Sequence, residues 1–212
     1  MGNEAFRQLL AERAAAADVT PSPLIEDKLA GYFRLLAHWN NRINLTSLPL
    51  DPPTAQAIDR LFIEPLLAAP LIRPNVSLWF DLGSGGGSPA VPLQIAHPAK
   101  RLVMVESKER KAAFLRQVVR ELPLDAAEVE VSRIESVAAE PRNAGVADLV
   151  TVRAVRLEPS LIGWIQSLLQ FGGQAVLFGA DTSMSHLPRG LELSNAIGAG
   201  PRGVVVLRRA GL

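Results

Sequence analysis

The chain contains no cysteine. Disulfides, thiolate metal sites and reactions that need a cysteine nucleophile are therefore excluded. An excess of one charge is also missing, because 22 Lys and Arg residues are balanced by 21 Asp and Glu residues, which leaves a net charge of +1. Any affinity for a polyanion must therefore come from a local patch of charge. The histidines, His38, His97 and His186, are scattered and lack the spacing of metal ligands, so we expect no metal site.

Long hydrophobic runs are scarce as well. Residues 159–180 carry no charge, but the segment "QFGGQ" at residues 170–174 interrupts the run with polar residues and glycine. This pattern predicts a helix, a turn and a strand instead of a membrane span. The N-terminus lacks the basic and apolar segments of a signal peptide, and Phe6 breaks the myristoylation pattern. We therefore expect a cytoplasmic protein that does not bind a membrane.

Helical periodicity dominates the first 75 residues. Residues 4–17 predict one helix, and Ser22 and Pro23 suit the N-cap and the first position of a second. The second helix is amphipathic, with apolar residues every three or four positions at Ile25, Leu29, Tyr32, Leu36, Trp39 and Ile43. A further helix is predicted over residues 54–71. Residues 1–75 are therefore predicted to form an N-terminal helical cap.

Short apolar runs alternate with helical segments in the rest of the chain. The runs are "SLWFDL", "RLVMVE", "VEVSRI", "ADLVTVRAV" and "GGQAVLFG", followed by two more near residues 191–197 and in "GVVVLRR". The alternation predicts an α/β, Rossmann-like fold in which helices cover both faces of a parallel sheet. No clear helix separates the last two strands, which predicts an antiparallel hairpin at one edge. Residues 76–212 are expected to form the core and to make one compact unit with the cap.

A glycine-rich segment, "FDLGSGGGSPAVPL", follows the first strand at residues 80–93. It begins like the G-x-G-x-x-G motif with Gly83, Gly85, Gly86 and Gly87, but has Ser88 at the last position. Between a strand and a helix, such glycines expose main-chain N–H groups to a ligand. The motif alone is weak evidence, and a tight turn that binds nothing is the alternative.

Two acidic residues add to this motif. Asp81 lies at the end of the first strand, where its carboxylate can meet an ammonium group or an ordered water. Glu106 ends the second strand, where it can bind the two hydroxyls of a ribose. Each acid alone could equally be a helix cap or a surface charge. Together they indicate a nucleoside that carries an amino acid, such as S-adenosylmethionine, which has no pyrophosphate and therefore tolerates Ser88.

A nicotinamide-dependent oxidoreductase is the rival enzyme class for a glycine loop of this kind. Asp81 before the loop and Ser88 within it disfavour this class. The only tyrosine, Tyr32, lies in the predicted cap and is not part of a Tyr-x-x-x-Lys pattern.

Several longer segments resemble a known family, the bacterial small-subunit (16S) ribosomal RNA guanine-N7 methyltransferases, also called glucose-inhibited division protein B. The segments are "HWNNRINLTS", "FDLGSGGGSPAVPLQIAHP", "ESKERKAAFLRQVVRELPL", "SRIES" and "VRAV". The resemblance implies a seven-stranded class I methyltransferase sheet and S-adenosylmethionine as the cofactor. The cofactor pocket that it implies falls on Gly83, Ser88, Glu106, Ile134, Glu135 and Arg153. A strand-to-helix cap remains the alternative for Ile134 and Glu135, and a structural ion pair for Arg153.

The chemistry of guanine N7 fits what the sequence lacks. N7 has a lone pair in the ring plane and no proton to remove, so alignment with the sulfonium methyl is sufficient and no general base is required. Accordingly, we identify no catalytic triad and no pair of catalytic carboxylates. The absence of cysteine excludes the thiolate route to cytosine-C5 methylation, and no Asn-Pro-Pro-aromatic segment typical of adenine amino methylation follows the fourth strand.

RNA contact is expected on the basic segment after the second strand. Residues 100–120 contain seven Lys or Arg and two Glu. The candidates are Lys108, Arg110, Lys111, Arg116 and Arg120, together with Arg133 at the end of the third strand. A solvated helix face is the alternative for this charge. The expected partner is small-subunit ribosomal RNA or the 30S particle, and we expect the protein to act as a monomer.

The chain departs from the family pattern at two places. Where the family has R-H-x-x-D in the cap, Leu61 replaces the histidine and Glu64 the aspartate. Where the family has Lys-Gly after the fifth strand, Phe178 or Gly179 replaces the lysine. The alternative function is therefore an RNA module that binds S-adenosylmethionine but has lost turnover.

Overall fold

The computed structural model describes residues 2–124, 126–153, 158–181, 189–198 and 203–211. The helical part comes first, as predicted, and further helices alternate with strands after it. In chain order the α-helices are α1 (Gly2–Ala16), α2 (Pro23–Asn40), α3 (Ala55–Ile58), α4 (Glu64–Ala68), α5 (Ala90–Ala96), α6 (Glu109–Glu121), α7 (Ile134–Ala139) and α8 (Pro159–Leu168). A π-helical turn joins α3 to α4 over Asp59–Ile63, and short 3-10 turns occupy Ala69–Leu71 and Pro141–Asn143.

The strands form one seven-stranded sheet in the order β3-β2-β1-β4-β5-β7-β6. They are β1 (Leu78–Leu82), β2 (Arg101–Val105), β3 (Ala127–Glu130), β4 (Ala147–Arg153), β5 (Leu169–Ala180), β6 (Leu191–Ile197) and β7 (Gly203–Arg209). Strands β1 to β5 pair in parallel, whereas β7 is antiparallel to both β5 and β6. The predicted parallel sheet with an antiparallel edge hairpin is therefore confirmed. The order reverses between β1 and β4, which is where such sheets open a crevice at the carboxyl ends of their strands.

Helices cover both faces of this sheet. One face, with Trp79 and Met104, packs with the N-terminal helices and with α5 and α6 in a shared apolar cluster. The other face, with Phe80 and Val150, packs against α7 and α8. The apolar side chains alternate along each strand, which is why a single strand supplies both layers.

The long helix α2 begins where the sequence predicts. The hydroxyl of Ser22 accepts a hydrogen bond from the Ile25 amide, and Pro23 occupies the first helical position. The apolar residues Leu29, Tyr32 and Leu36 of α2 are buried among the cap helices and α6.

The segment predicted as one helix over residues 54–71 is instead interrupted by the π-helical turn. Pro65 explains the interruption, because it has no N–H for the carbonyl of Leu61 and its ring crowds that carbonyl. The Leu61 carbonyl accepts a hydrogen bond from the Ser88 hydroxyl instead, at 2.9 Å. The irregular turn therefore connects the cap to the glycine-rich loop. π-Helical turns often occur at functional sites.

Two boundaries differ from the sequence prediction. β3 ends at Glu130, where its pairing with β2 ends, so Arg133 and Ile134 lie at the start of α7 and not in the strand. The charge-free run has no separate turn, because α8 is followed directly by β5 at Leu169. No helix in the described ranges is both long and apolar enough to cross a membrane.

Candidate functional site

A cleft of about 850 Å³ opens at the carboxyl ends of β1, β2, β4 and β5. The sheet side of the cleft is formed by residues 83–86, Ser88, Glu106, Lys111, Val152, Arg153 and residues 177–179. The cap side is formed by Leu36, residues 45–48, Gln56, Arg60 and Leu61. The cleft therefore lies between the cap and the sheet edge, at the position expected for a ligand in this fold.

The glycine-rich loop forms the floor of the cleft. The amides of Gly83 and Ser84 both donate to the Val105 carbonyl, at 2.9 and 3.0 Å, which fixes the loop to β2. Gly87 has φ of +88°, and a Cβ atom there would lie 3.1–3.3 Å from side-chain atoms of Val91, Tyr32 and Leu115. Gly87 does not line the cleft. It lets α2, α5 and α6 approach the loop closely.

The carboxylate of Glu106 organises the loop from β2. One oxygen accepts from the Gly85 amide at 2.9 Å, and the other accepts from the Lys108 amide at 2.8 Å. The residue is only 6% exposed but lines the cleft. Each carboxylate oxygen can accept a second hydrogen bond, so both remain capable of binding hydroxyl groups.

Asp81 is placed beneath the loop and is not among the residues that line the cleft. It is 1% exposed and accepts a hydrogen bond from the Thr151 hydroxyl, which in turn accepts from the Trp79 indole at 2.9 Å. Burial raises the pKa of Asp81 to about 6, although the Thr151 hydrogen bond and the Arg153 charge oppose this shift. The predicted contact of Asp81 with an ammonium group stays a prediction.

Arg153 ends β4 in the wall of the cleft with its side chain 11% exposed. Its Nη1 donates to Glu64 at 2.9 Å, and its guanidinium lies over the Phe178 ring, 4.6 Å from the ring centre. Its Nε and Nη2 atoms are buried and have no hydrogen-bond partner within the described ranges. Burial lowers the pKa of Arg153, and the charge of Glu64 opposes this effect. Both the ion pair and the unsatisfied donors are therefore present at this residue.

The other candidate cofactor residues, Ile134 and Glu135, begin α7 and are not among the described residues that line the cleft. Glu135 lies 3.6 Å from Arg133, which precedes the helix. The predicted contact of this pair with an adenine ring stays a prediction.

The basic candidates lie on and beside α6. Lys111 lines the cleft, whereas Lys108, Arg110, Arg116, Arg120 and Arg133 are exposed. Arg116 is 3.8 Å from Glu109, a separation at which an exposed pair contributes little to stability. Of these charges, the structure thus brings only Lys111 into the cleft, and the others lie on the exposed surface of α6 and before α7.

Sequence reasoning missed Arg60 as part of the site and noted Glu64 only as a departure from the family pattern. Their spacing of four residues is typical of an ordinary pair on a helix surface. In the structure they lie at the π-helical turn and the start of α4, and Glu64 accepts from Arg60 at 2.7 Å. Only the proline at position 65 hints that this helix is irregular.

The departures from the family pattern meet in this cleft. Leu61, Phe178 and Gly179 all line it, and Glu64 pairs with Arg153 in its wall. Gly179 has φ of +74°, and a Cβ atom there would lie 3.3 Å from Nη2 of Arg60. A side chain at position 179 would therefore be strained and would compete with Arg60 for space.

The remaining predictions concern metal and the "VRAV" segment. No group of three acidic or histidine side chains in the described ranges could hold a metal ion. His186 and the last two residues of "VRAV" lie outside the described residues.

Comparisons with known proteins identify the family of this chain. The family model "GidB: rRNA small subunit methyltransferase G" matches residues 25–190. Ribosomal RNA small subunit methyltransferase G of Nitratidesulfovibrio vulgaris is 33% identical over 88% of this chain and 85% of its own. The protein with the same name from Acidiphilium cryptum is 36% identical over 78% of this chain and 74% of its own.

A solved structure of an S-adenosylmethionine-dependent methyltransferase from Aquifex aeolicus has a TM-score of 0.52 at 12% identity. The match covers 72% of this chain and 92% of that one, and it shows a shared fold. The seven-stranded sheet with its antiparallel β7 is thus the class I methyltransferase fold. On the family model and the curated relatives together, this chain belongs to the GidB family, the rRNA small subunit methyltransferases G.

Proposed function

We propose that this protein transfers a methyl group from S-adenosylmethionine to N7 of a guanine in 16S ribosomal RNA. The observation that carries the proposal is the cleft between the cap and the carboxyl ends of β1, β2 and β4, in a member of this methyltransferase family. The specific atom, N7, comes from the family resemblance of the sequence.

The residues present fit S-adenosylmethionine. The unsatisfied Nε and Nη2 donors of Arg153 suit a carboxylate, which the amino-acid end of that molecule carries. The Glu106 carboxylate, with lone pairs to spare, suits the two hydroxyls of a ribose.

We therefore assign the cofactor residues as follows. Gly83, Gly85 and Glu106 hold the nucleoside, and Arg153 binds the carboxylate. Gly87 and Ser88 act through the shape of the loop, since the first packs against helices and the second anchors the loop to the cap. Ile134 and Glu135 are assigned to the adenine ring, and Asp81 to the ammonium group.

Bound S-adenosylmethionine supplies an electrophilic methyl group on its sulfonium sulfur. The chain has to hold guanine N7 within about 3–3.5 Å of this methyl group, on the line opposite the sulfur. The cap side contributes the apolar side chains of Leu45 and Leu61 to the wall of the cleft. No proton is taken from N7, so the chain needs no general base.

Substrate RNA is proposed to bind on the basic side chains of Lys108, Arg110, Lys111, Arg116, Arg120 and Arg133, of which Lys111 lines the cleft. A single chain supplies both walls of the cleft, which supports action as a monomer. We propose the cytoplasm as its location, since bacterial ribosomal RNA is made and assembled there.

Methyl transfer onto 16S RNA tests the function. Naked 16S RNA and intact 30S subunits, both from cells without this modification, are incubated with the protein and labelled S-adenosylmethionine. Nucleosides from the digested RNA are then identified by mass. We expect 7-methylguanosine from one of the two substrates, and none from large-subunit RNA as the control.

Two other outcomes would contradict the proposal. Cofactor binding without any transfer would indicate the non-catalytic RNA module. Methylation of a different atom or base would overturn the assignment of N7.

A further inference from the structure

A chain of three charges connects the cap to the end of β4. Glu64 uses one carboxylate oxygen for Arg60, at 2.7 Å, and the other for Arg153, at 2.9 Å. The two arginines repel each other, and each is paired with the same carboxylate. Glu64 is therefore the only carboxylate shown to hold the Arg153 guanidinium in the described residues.

The position of Glu64 fixes which edge of the Arg153 guanidinium is left without a hydrogen-bond partner in the described ranges. Glu64 accepts a hydrogen bond from Nη1 of Arg153. The Phe178 ring covers one face of the guanidinium, with its centre 4.6 Å from the guanidinium carbon. The atoms left without partners in the described ranges, Nε and Nη2, are neighbours on one edge of the guanidinium. Their N–H bonds point in parallel, which is the geometry that binds both oxygens of a carboxylate.

The backbone that carries Glu64 is also anchored to the cofactor loop. Glu64 follows directly after the π-helical turn, and the Leu61 carbonyl in that turn accepts from the Ser88 hydroxyl. A buried donor without a partner destabilises the folded chain, so two on one side chain need an explanation. Binding of an anion at this edge provides one, and anchoring by Glu64 determines where the edge lies.

We propose that Glu64 is a positioning residue, which holds Arg153 by Nη1 and so presents its Nε–Nη2 edge to the carboxylate of the cofactor. This inference rests on the proposed function, because it takes S-adenosylmethionine as the ligand. It assigns to the glutamate of this chain a role in cofactor discrimination that an ordinary cap ion pair would not have.

The test compares two ligands that differ at the amino-acid end. S-adenosylhomocysteine has the carboxylate, whereas methylthioadenosine keeps the nucleoside and lacks the amino acid. Calorimetry gives the ratio of their affinities for the wild type and for Glu64→Gln. In glutamine an NH2 donor replaces one of the two acceptor oxygens that the arginines use, and the negative charge is lost. We therefore expect the preference for S-adenosylhomocysteine to fall about tenfold, with methylthioadenosine affinity nearly unchanged.

The matched control is Asp59→Asn in the same turn. Asp59 pairs with Arg13 at 2.7 Å and does not line the cleft, so this variant loses a cap ion pair but should keep the preference. A purely structural role for Glu64 would weaken both ligands equally. An unchanged preference in Glu64→Gln would overturn the inference, since Glu64 would then not position Arg153. An increased preference would also overturn it, since the negative charge would then only repel the ligand.

A double variant keeps the inference testable if Glu64→Gln folds poorly. Replacing both partners of a buried pair by apolar residues avoids an unpaired charge. Glu64→Leu with Arg153→Leu should therefore show the same ligand preference as Arg153→Leu alone, whereas additive losses would contradict the inference. If the wild type binds neither nucleoside, the proposed function fails and the inference falls with it. If the wild type prefers S-adenosylhomocysteine and every Glu64 variant retains this preference, the proposed function stands and the inference alone fails.

Discussion

Single residues in this cleft serve both the fold and the site, and Glu106 is an example. Its carboxylate holds the Gly85 and Lys108 amides, and we assign it to the ribose as well. Hydrogen bonds to a charged group contribute about 1.5–3 kcal/mol each. Glu106→Ala should therefore weaken S-adenosylhomocysteine binding at least about tenfold, as measured by calorimetry. An affinity equal to that of the wild type would show that the ribose binds elsewhere.

Asp81 gives a prediction about pH. Burial raises its pKa from 3.8 to about 6, so the folded protein holds this proton more tightly than the unfolded chain. The free energy of unfolding should therefore fall as pH rises from about 4 to about 6, by about 3 kcal/mol from this residue, and then level off. Asp81→Asn removes the titration and should show a flatter profile in urea unfolding.

The control for this measurement is Asp18→Asn. Asp18 is exposed and has φ of 55°, a conformation that asparagine accepts readily. Its profile should run parallel to that of the wild type. If the Asp81→Asn profile also runs parallel to the wild type, the carboxyl of Asp81 titrates normally in the folded protein.

At the scale of elements, the sequence predicts regular helices and strands well and their interruptions poorly. Alternating apolar runs locate the strands, and Ser22 with Pro23 locates the start of α2, because these signals are local. The π-helical turn at Asp59–Ile63 depends on Pro65 and on the distant Ser88, so periodicity alone predicts a plain helix. Glu106 could be predicted because it follows β2 at the carboxyl edge of the sheet, and Arg153 is implied by the family resemblance, whereas Glu64 reaches the site only through that turn.

The basic face of α6 gives a prediction at this scale. If α6 binds the RNA backbone, Arg116→Glu should weaken binding of 16S RNA and lower the slope of its salt dependence by about one phosphate contact. Affinity for S-adenosylhomocysteine should not change, because Arg116 does not line the cleft. Filter binding over a range of salt concentrations measures the affinity for 16S RNA and the slope of its salt dependence.

Lys100→Glu provides the matched charge reversal. Lys100 is exposed and directly precedes β2, at the end of that strand opposite to the cleft. Equal losses of RNA affinity in the two variants would mean that net charge, and not the face of α6, determines binding.

At the scale of the whole molecule, the cap and the sheet share one apolar cluster. Phe6, Tyr32 and Phe62 of the cap belong to the same cluster as Trp79 and Met104 of the sheet. Tyr32 also donates to the Gly86 carbonyl at 2.5 Å, which ties α2 to the glycine-rich loop. The cleft between the two parts can therefore keep its shape only while the cap stays packed.

This shared core predicts that the cap and the sheet unfold together, although a chain of 212 residues exceeds the usual size of two-state proteins. Trp39 reports on the cap, because it packs on Phe114 and donates to Gln117 of α6, and Trp164 reports on α8 on the opposite face. Two variants that each retain one of these tryptophans can be unfolded in urea, with fluorescence and far-ultraviolet circular dichroism recorded together. Within each variant the two signals should have the same midpoint. Loss of the native Trp39 emission at a lower urea concentration than the dichroism signal would show that the cap separates first, and residues 1–75 would then be an independent unit.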